Sequence, residues 1–105
     1  MKRLLLSLFF ASSLAAETIY VSQSGSGDGS GSGTGNRMSV ANFNTAGNWD
    51  TDVANDGLIG PGDTVSLSGT LTTQMVIQGS GTAGNQIAIL FESGAKLSAA
   101  FWTSD

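Results

Sequence analysis

The side chains that could do chemistry in this 105-residue chain are few. It has no histidine and no cysteine. That removes imidazole acid–base relays, disulfides, thiolate nucleophiles and cysteine-held metals. Ser22, Ser66 and Ser68 have no histidine to activate them, so a serine-hydrolase reading fails. After the first three residues the basic side chains are Arg37 and Lys96. Lys96 as a proton-abstracting base would have to be held deprotonated beside a group that neutralises a substrate carboxylate, and no sequence neighbour provides one. A solvated turn lysine is the expectation. Arg37 is expected to cap a helix end or pair with an acid. Asp50, Asp52 and Asp56 form a loose acidic cluster. They could supply part of the six to eight oxygens that calcium takes, although their spacing matches no EF-hand loop. The competing reading is a solvated acidic loop. Asp63 is expected to bond backbone amides in a turn. Phe101 and Trp102 could form a stacking platform for the apolar face of a sugar, or belong to a core. No catalytic constellation and no cofactor-binding motif emerges, and calcium is the one cofactor with candidates.

Composition narrows the partners. Met1-Lys-Arg3 is basic, Leu4–Leu14 is an apolar run broken by serines, and Ser13-Leu14-Ala15-Ala16 offers small residues for cleavage. This is the pattern of a secretory signal peptide over residues 1–16. The run is too short to span a membrane, and no second apolar run follows. Export to the periplasm, cell surface or medium is the expectation. Cleavage after Ala16 leaves two basic side chains against eight acidic ones. With no basic patch, nucleic acid and anionic lipid are poor partners. An exported domain of this size without disulfides depends on its core alone.

The elements that would position these residues are mainly strands. Glu17–Ser22 alternates around Ile19 and Val21. Residues 24–35 carry glycine at every second position and read as a mobile linker. The spacing of Val40, Phe43 and Ala46–Gly47 predicts a short helix over 39–47, capped by Ser39 and ended by Gly47. Trp49 is expected to fold back on its apolar face. The Gly60-Pro61-Gly62-Asp63 turn precedes expected strands at 64–68, 74–78, 87–91 and 96–98. Val65 and Leu67 stand 22 positions before Ile87 and Ile89, and Ile77 stands 20 before Leu97. Two sets recurring at about 20 residues suggest a solenoid with apolar columns. Hairpins in a small antiparallel β-sandwich or meander are the alternative. The chain then divides into the leader 1–16, a strand and Gly/Ser-rich loop at 17–38, a helix and polar loop at 39–59, and coils at 60–105.

Ile19-Tyr-Val-Ser22, the glycine-rich loop, the short helix, Pro61-Gly-Asp-Thr-Val65, Ser80-Gly-Thr-Ala-Gly-Asn-Gln-Ile87 and Gly94-Ala-Lys-Leu97 resemble the N-terminal region of right-handed parallel β-helix proteins. This is the pectate-lyase-like superfamily, with bacterial exported members that include polysaccharide lyases. The likeness covers nearly all of residues 18–102. It implies an all-β fold, a right-handed parallel β-helix represented by its cap helix and first coils, with further coils absent from this chain. It implies no catalytic residue at any position here, because the working residues of such lyases lie on later coils.

Three functions follow as expectations. The first is the N-terminal part of an exported β-helix protein that binds or degrades polysaccharide, lyase-like if it is an enzyme. The second is a non-enzymatic surface or adhesion β-helix. The third is a small secreted binding module. A solenoid left bare at its lower coil, with Leu97, Phe101 and Trp102, is also expected to self-associate.

Overall fold

The computed structural model describes residues 16–98 and 103–104. The signal-peptide reading of residues 1–15 and the stacking reading of Phe101 and Trp102 therefore lie outside the described residues. The described chain is all-β, with eight strands and very little helix. The strands are β1 (Thr18–Ser22), β2 (Met38–Ser39), β3 (Thr64–Ser68), β4 (Thr70–Leu71), β5 (Val76–Ile77), β6 (Ala88–Phe91), β7 (Lys96–Leu97) and β8 (Thr103–Ser104). One α-helical turn, α1 (Val40–Phe43), and a 3-10 turn at Ala46–Asn48 follow β2.

Every pair of these strands is parallel. Four of them make one sheet in the order β2-β1-β3-β6, while β4-β7 and β5-β8 make two short sheets. From β3 onward each strand lies beside the one three places later. Thr64 faces Ala88, 24 positions on; Thr70 faces Lys96, 26 on; Val76 faces Thr103, 27 on. The antiparallel sandwich or meander is thus not what forms, and the reason is local. Gly69 alone separates β3 from β4, with φ +74°. One residue can turn a corner, whereas a hairpin needs a loop of at least about two.

The period-two pattern sets the core. Ile19 and Val21 on β1, and Val65 and Leu67 on β3, are all buried. Leu71 and Met75 join them from the next two corners, and Met38, Val40, Phe43, Trp49 and Ile59 close the top. Ile77, Ile87, Ile89 and Leu97 pack below, only partly buried. The apolar columns have a different register from the spacing read in the sequence. Val65 sits on Ile89 and Leu67 on Phe91, a step of 24 rather than 22. Because side chains alternate, either step lays apolar on apolar; the backbone decides, with Ala88 N donating to Asp63 O and Glu92 N to Leu67 O. Leu97 sits on Leu71, not beneath Ile77, because the two belong to different sheets.

Two further elements differ from expectation. The helix is one turn, not residues 39–47. Ser39 does cap it, with Oγ accepting from Asn42 N at 3.1 Å. Gly47, however, falls inside the 3-10 turn and keeps φ out of the left-handed region. The glycine-rich segment is a folded loop and not a linker. Its serine, aspartate and asparagine side chains bond its own amides: Asp28 N to Asn36 Oδ1, Ser30 N to Asp28 Oδ1 and Arg37 N to Ser26 Oγ. Gly31 O accepts from Tyr20 N at 2.9 Å, which extends the β1 edge beyond β2. At Gly31, with φ +82°, a Cβ would stand 2.8 Å from Ile19 Cγ2, so only glycine lets the loop lie this close to the core.

Candidate functional site

Alternation that buries Ile19 and Val65 turns their neighbours outward. Thr18 faces Thr64, Tyr20 faces Ser66 and Ser22 faces Ser68 across β1 and β3. The outer face of β1 and β3 is therefore a ladder of hydroxyls with one aromatic ring, and β6 adds Ala88 and the exposed Leu90 beside it. Arg37, just ahead of β2, reaches across this face to Glu92, just after β6. Its Nη1 and Nη2 donate to Glu92 Oε2 and Oε1 at 2.9 and 3.0 Å, a two-pronged pair. Nη1 also donates to Val21 O at 3.5 Å. The guanidinium carbon stands 5.6 Å from the centre of the Tyr20 ring. Ser66 Oγ donates to Glu92 Oε2 at 2.7 Å, and Ser66 is buried beneath this bridge. Hydrogen bonds from Arg37 and then from Ser66 hold the Glu92 carboxyl below its ordinary range. Arg37 is thus paired with an acid, as expected. Its charge is neutralised within the chain, so it binds the sheet face together rather than presenting a free cation. Lys96 is exposed, on β7 rather than in a turn.

The acidic residues sort into two arrangements. Burial, and then a hydrogen bond with the Asp56 carboxylate, push the Asp50 carboxyl up to about 6. Asp56 goes the other way, stabilised by Asp50 and by the Leu58 backbone N–H. Asp50 Oδ1 is buried with no hydrogen-bond partner. Asp52 adds a like charge nearby. Among the described residues, no group of three or more such side chains converges as a metal-ion donor set. Of the three acids singled out for calcium, Asp50 and Asp56 are neighbours that hydrogen-bond each other, and Asp52 lies close enough to act on Asp50 as a like charge.

Asp63 does what the turn residue was expected to do, and at depth. It is fully buried. Its Oδ2 accepts from Gly60 N and its Oδ1 from Glu17 N, both at 2.9 Å. Glu17 Oε2 in turn accepts from Gly57 N at 2.8 Å and Asp56 N at 3.1 Å. Burial is the main cause that raises the Glu17 carboxyl, with Asp63 adding to it.

Two hollows mark the surface of the described residues. One, of about 490 Å³, is lined mainly by Ile77, Ile87 and Ile89 with glycines 79 and 81, between β5 and β6. The other, of about 210 Å³, is polar and lies between the glycine-rich loop and Ser39 and Asn42. No helix among the described residues is long and apolar enough to cross a membrane.

Sequence reading missed Glu92 and Tyr20 as members of the outer bridge. It also missed two amides that close the upper edge. Gln23 Oε1 accepts from Thr72 N at 2.6 Å, and its Nε2 donates to Thr73 Oγ1 at 2.8 Å. Asn44 Oδ1 accepts from Val76 N at 2.7 Å, and its Nδ2 donates to Gln74 O at 2.9 Å. The Arg37–Glu92 pair and the contacts of these two amides span 30 to 55 positions of sequence, and only the outward parity of Tyr20 and Glu92 was available beforehand. Comparison with protein-family models, with curated proteins and with solved structures finds no match.

Proposed function

We propose that this chain is the capped N-terminal part of an exported right-handed parallel β-helix protein that binds or degrades polysaccharide. One observation carries the reading: β3, β4 and β5 are followed in the same order by β6, β7 and β8, each laid parallel beneath its counterpart. Repetition of three corners with parallel stacking is what a coil of such a helix requires. The helix α1 and Trp49 cover one end of the column, as a cap does. The only partly buried Ile77, Ile89 and Leu97 suit the seat of a further coil. Export rests on the basic, apolar and small-residue order of residues 1–16.

The part-exposed hydroxyls of Thr18, Ser22, Thr64 and Ser68 on β1 and β3 and the polar hollow by Ser39 are chemistry suited to the hydroxyl groups of sugars. No catalytic group is assigned among these residues. The test is affinity electrophoresis of the exported protein through gels containing neutral or acidic polysaccharides. Incubation with the same polymers then follows the ultraviolet absorbance of an unsaturated uronate end. Retardation supports binding, and new absorbance supports a lyase. Neither response across acidic and neutral polymers would leave the surface or adhesion reading in its place.

A further inference from the structure

The chain's processed end carries an inference that rests on the export reading above. Asp63 is fully buried and holds only amide donors, Gly60 N and Glu17 N. Among the described residues the one ion pair is that of Arg37 with Glu92, so no side-chain cation answers Asp63. The neighbouring groups that carry charge, the Glu17 and Asp56 carboxyls, are acidic as well. A buried carboxylate in acidic company is a costly thing to leave uncompensated. Yet the nitrogen 2.9 Å from Asp63 Oδ1 belongs to Glu17, the residue that follows the small-residue cleavage motif. Ala16 on its other side is exposed, against Gly62.

We propose that the leader is removed between Ala16 and Glu17, and that the α-ammonium this creates on Glu17 is the counter-ion of the buried Asp63 carboxylate. A leader peptidase adds water across the Ala16–Glu17 peptide bond. The C–N bond breaks, Ala16 leaves with the carboxylate, and Glu17 keeps the nitrogen, which takes a proton at neutral pH. A neutral amide donor thereby becomes a charged one at the same place, and the carboxylate gains an opposite charge at hydrogen-bond distance. The Glu17 carbonyl stays fixed by Thr64 N at 3.0 Å, which holds the nitrogen in position. Removal of Ala16 also opens room for the added protons. Maturation then does more than free the protein from its leader: it completes the turn at the foot of β3.

An α-amino group ordinarily titrates near about 8. Asp63, the Glu17 carboxyl and Asp56 all favour its charged form, so its folded value is raised. The stability it adds is present below about pH 8 and lost as pH rises through that folded value.

The experiment takes the whole protein, made with its leader and exported. N-terminal sequencing and intact mass are expected to give Glu17 first. A chain that keeps Met1 would overturn export and the counter-ion together. A cut at another bond would leave export standing and overturn the counter-ion alone. The α-amine is then acylated at about pH 7 with an N-hydroxysuccinimide acetate, beside a free peptide beginning Glu-Thr-Ile. Labelling at least about tenfold slower than the peptide, the equivalent of one pKa unit, is expected. Equal rates would overturn the pairing. Asp63→Asn is expected to restore the peptide's rate. If that variant does not fold, a chain begun with Met in place of Ala16 serves, since it moves the ammonium one residue away. Its melting temperature is expected to fall less between about pH 7 and 9 than that of the Glu17 form, and identical profiles overturn the proposal.

Discussion

At the scale of single residues, the outer bridge and the acidic pair make opposite predictions about pH. Glu92 is held below its ordinary range by Arg37 and Ser66. A depressed carboxylate adds stability that is present above its unfolded value and lost as pH falls through the folded one. Glu92→Gln removes this acid-side loss and one arm of the pair. It is expected to cost roughly 1.5–3 kcal/mol near neutral pH, as for hydrogen bonds to charged groups, read by urea denaturation at several pH values. Asp50 is raised to about 6, so its contribution runs the other way. It favours the fold while protonated and is lost as pH rises through about 6. Asp50→Asn is therefore expected to raise the melting temperature at neutral pH, and to flatten its change between pH 5 and 7, in thermal melts followed by circular dichroism. A lower melting temperature at neutral pH would show that Asp50 works as a charged group.

At the scale of elements, strand parity was legible and loop architecture was not. The alternation of Ile19 with Tyr20 and of Val65 with Ser66 named the strands and their inner faces, because burial acts on every second residue. The PGD turn and the Ser39 cap were also legible, since both are local. The glycine-rich loop was misread because glycine content suggests freedom, whereas Asn36, Asp28 and Ser26 supply bonds that only the folded loop reveals. The upper edge was likewise hidden. There, Asn44 presents its amide to Gln74 O and Val76 N as a neighbouring strand would. Asn44→Ala leaves both unpaired and is expected to destabilise by about 1–3 kcal/mol. Asn44→Gln, one methylene longer, is expected to recover little of that in the same denaturation assay. Beneath it, Phe43 meets Trp49 edge-on at 5.0 Å, and Trp49 Nε1 donates to Phe43 O at 2.6 Å. Phe43→Ala should cost roughly 3–5 kcal/mol, with loss of the buried tryptophan fluorescence.

At the scale of the whole molecule, burial falls from top to bottom. Leu67 is 0% exposed and its register partner Phe91 is 44%, with Leu90 beside it at 54%. The lower strands carry isoleucines and a leucine that are only partly buried. The chain 17–105 made by itself is expected to sediment as oligomers. Ile89→Lys, which puts a charge on the lower rim, should shift it towards monomer. A sharp cooperative melt from a monomer of the unaltered chain would falsify this. The spacing of about 20 residues was a fair sign of repetition but gave the wrong step, because period-two patterns tolerate slips of two. The two ends also differ in kind: side-chain amides seal the upper edge at β4 and β5, and nothing comparable lies below among the described residues. Synthesis delivers the sealed end first, and each later rung needs contacts only 24 to 27 positions back. From β3 onward, the order in which the strands emerge is thus also the order in which they can pair, whereas β1 must wait 46 positions for β3.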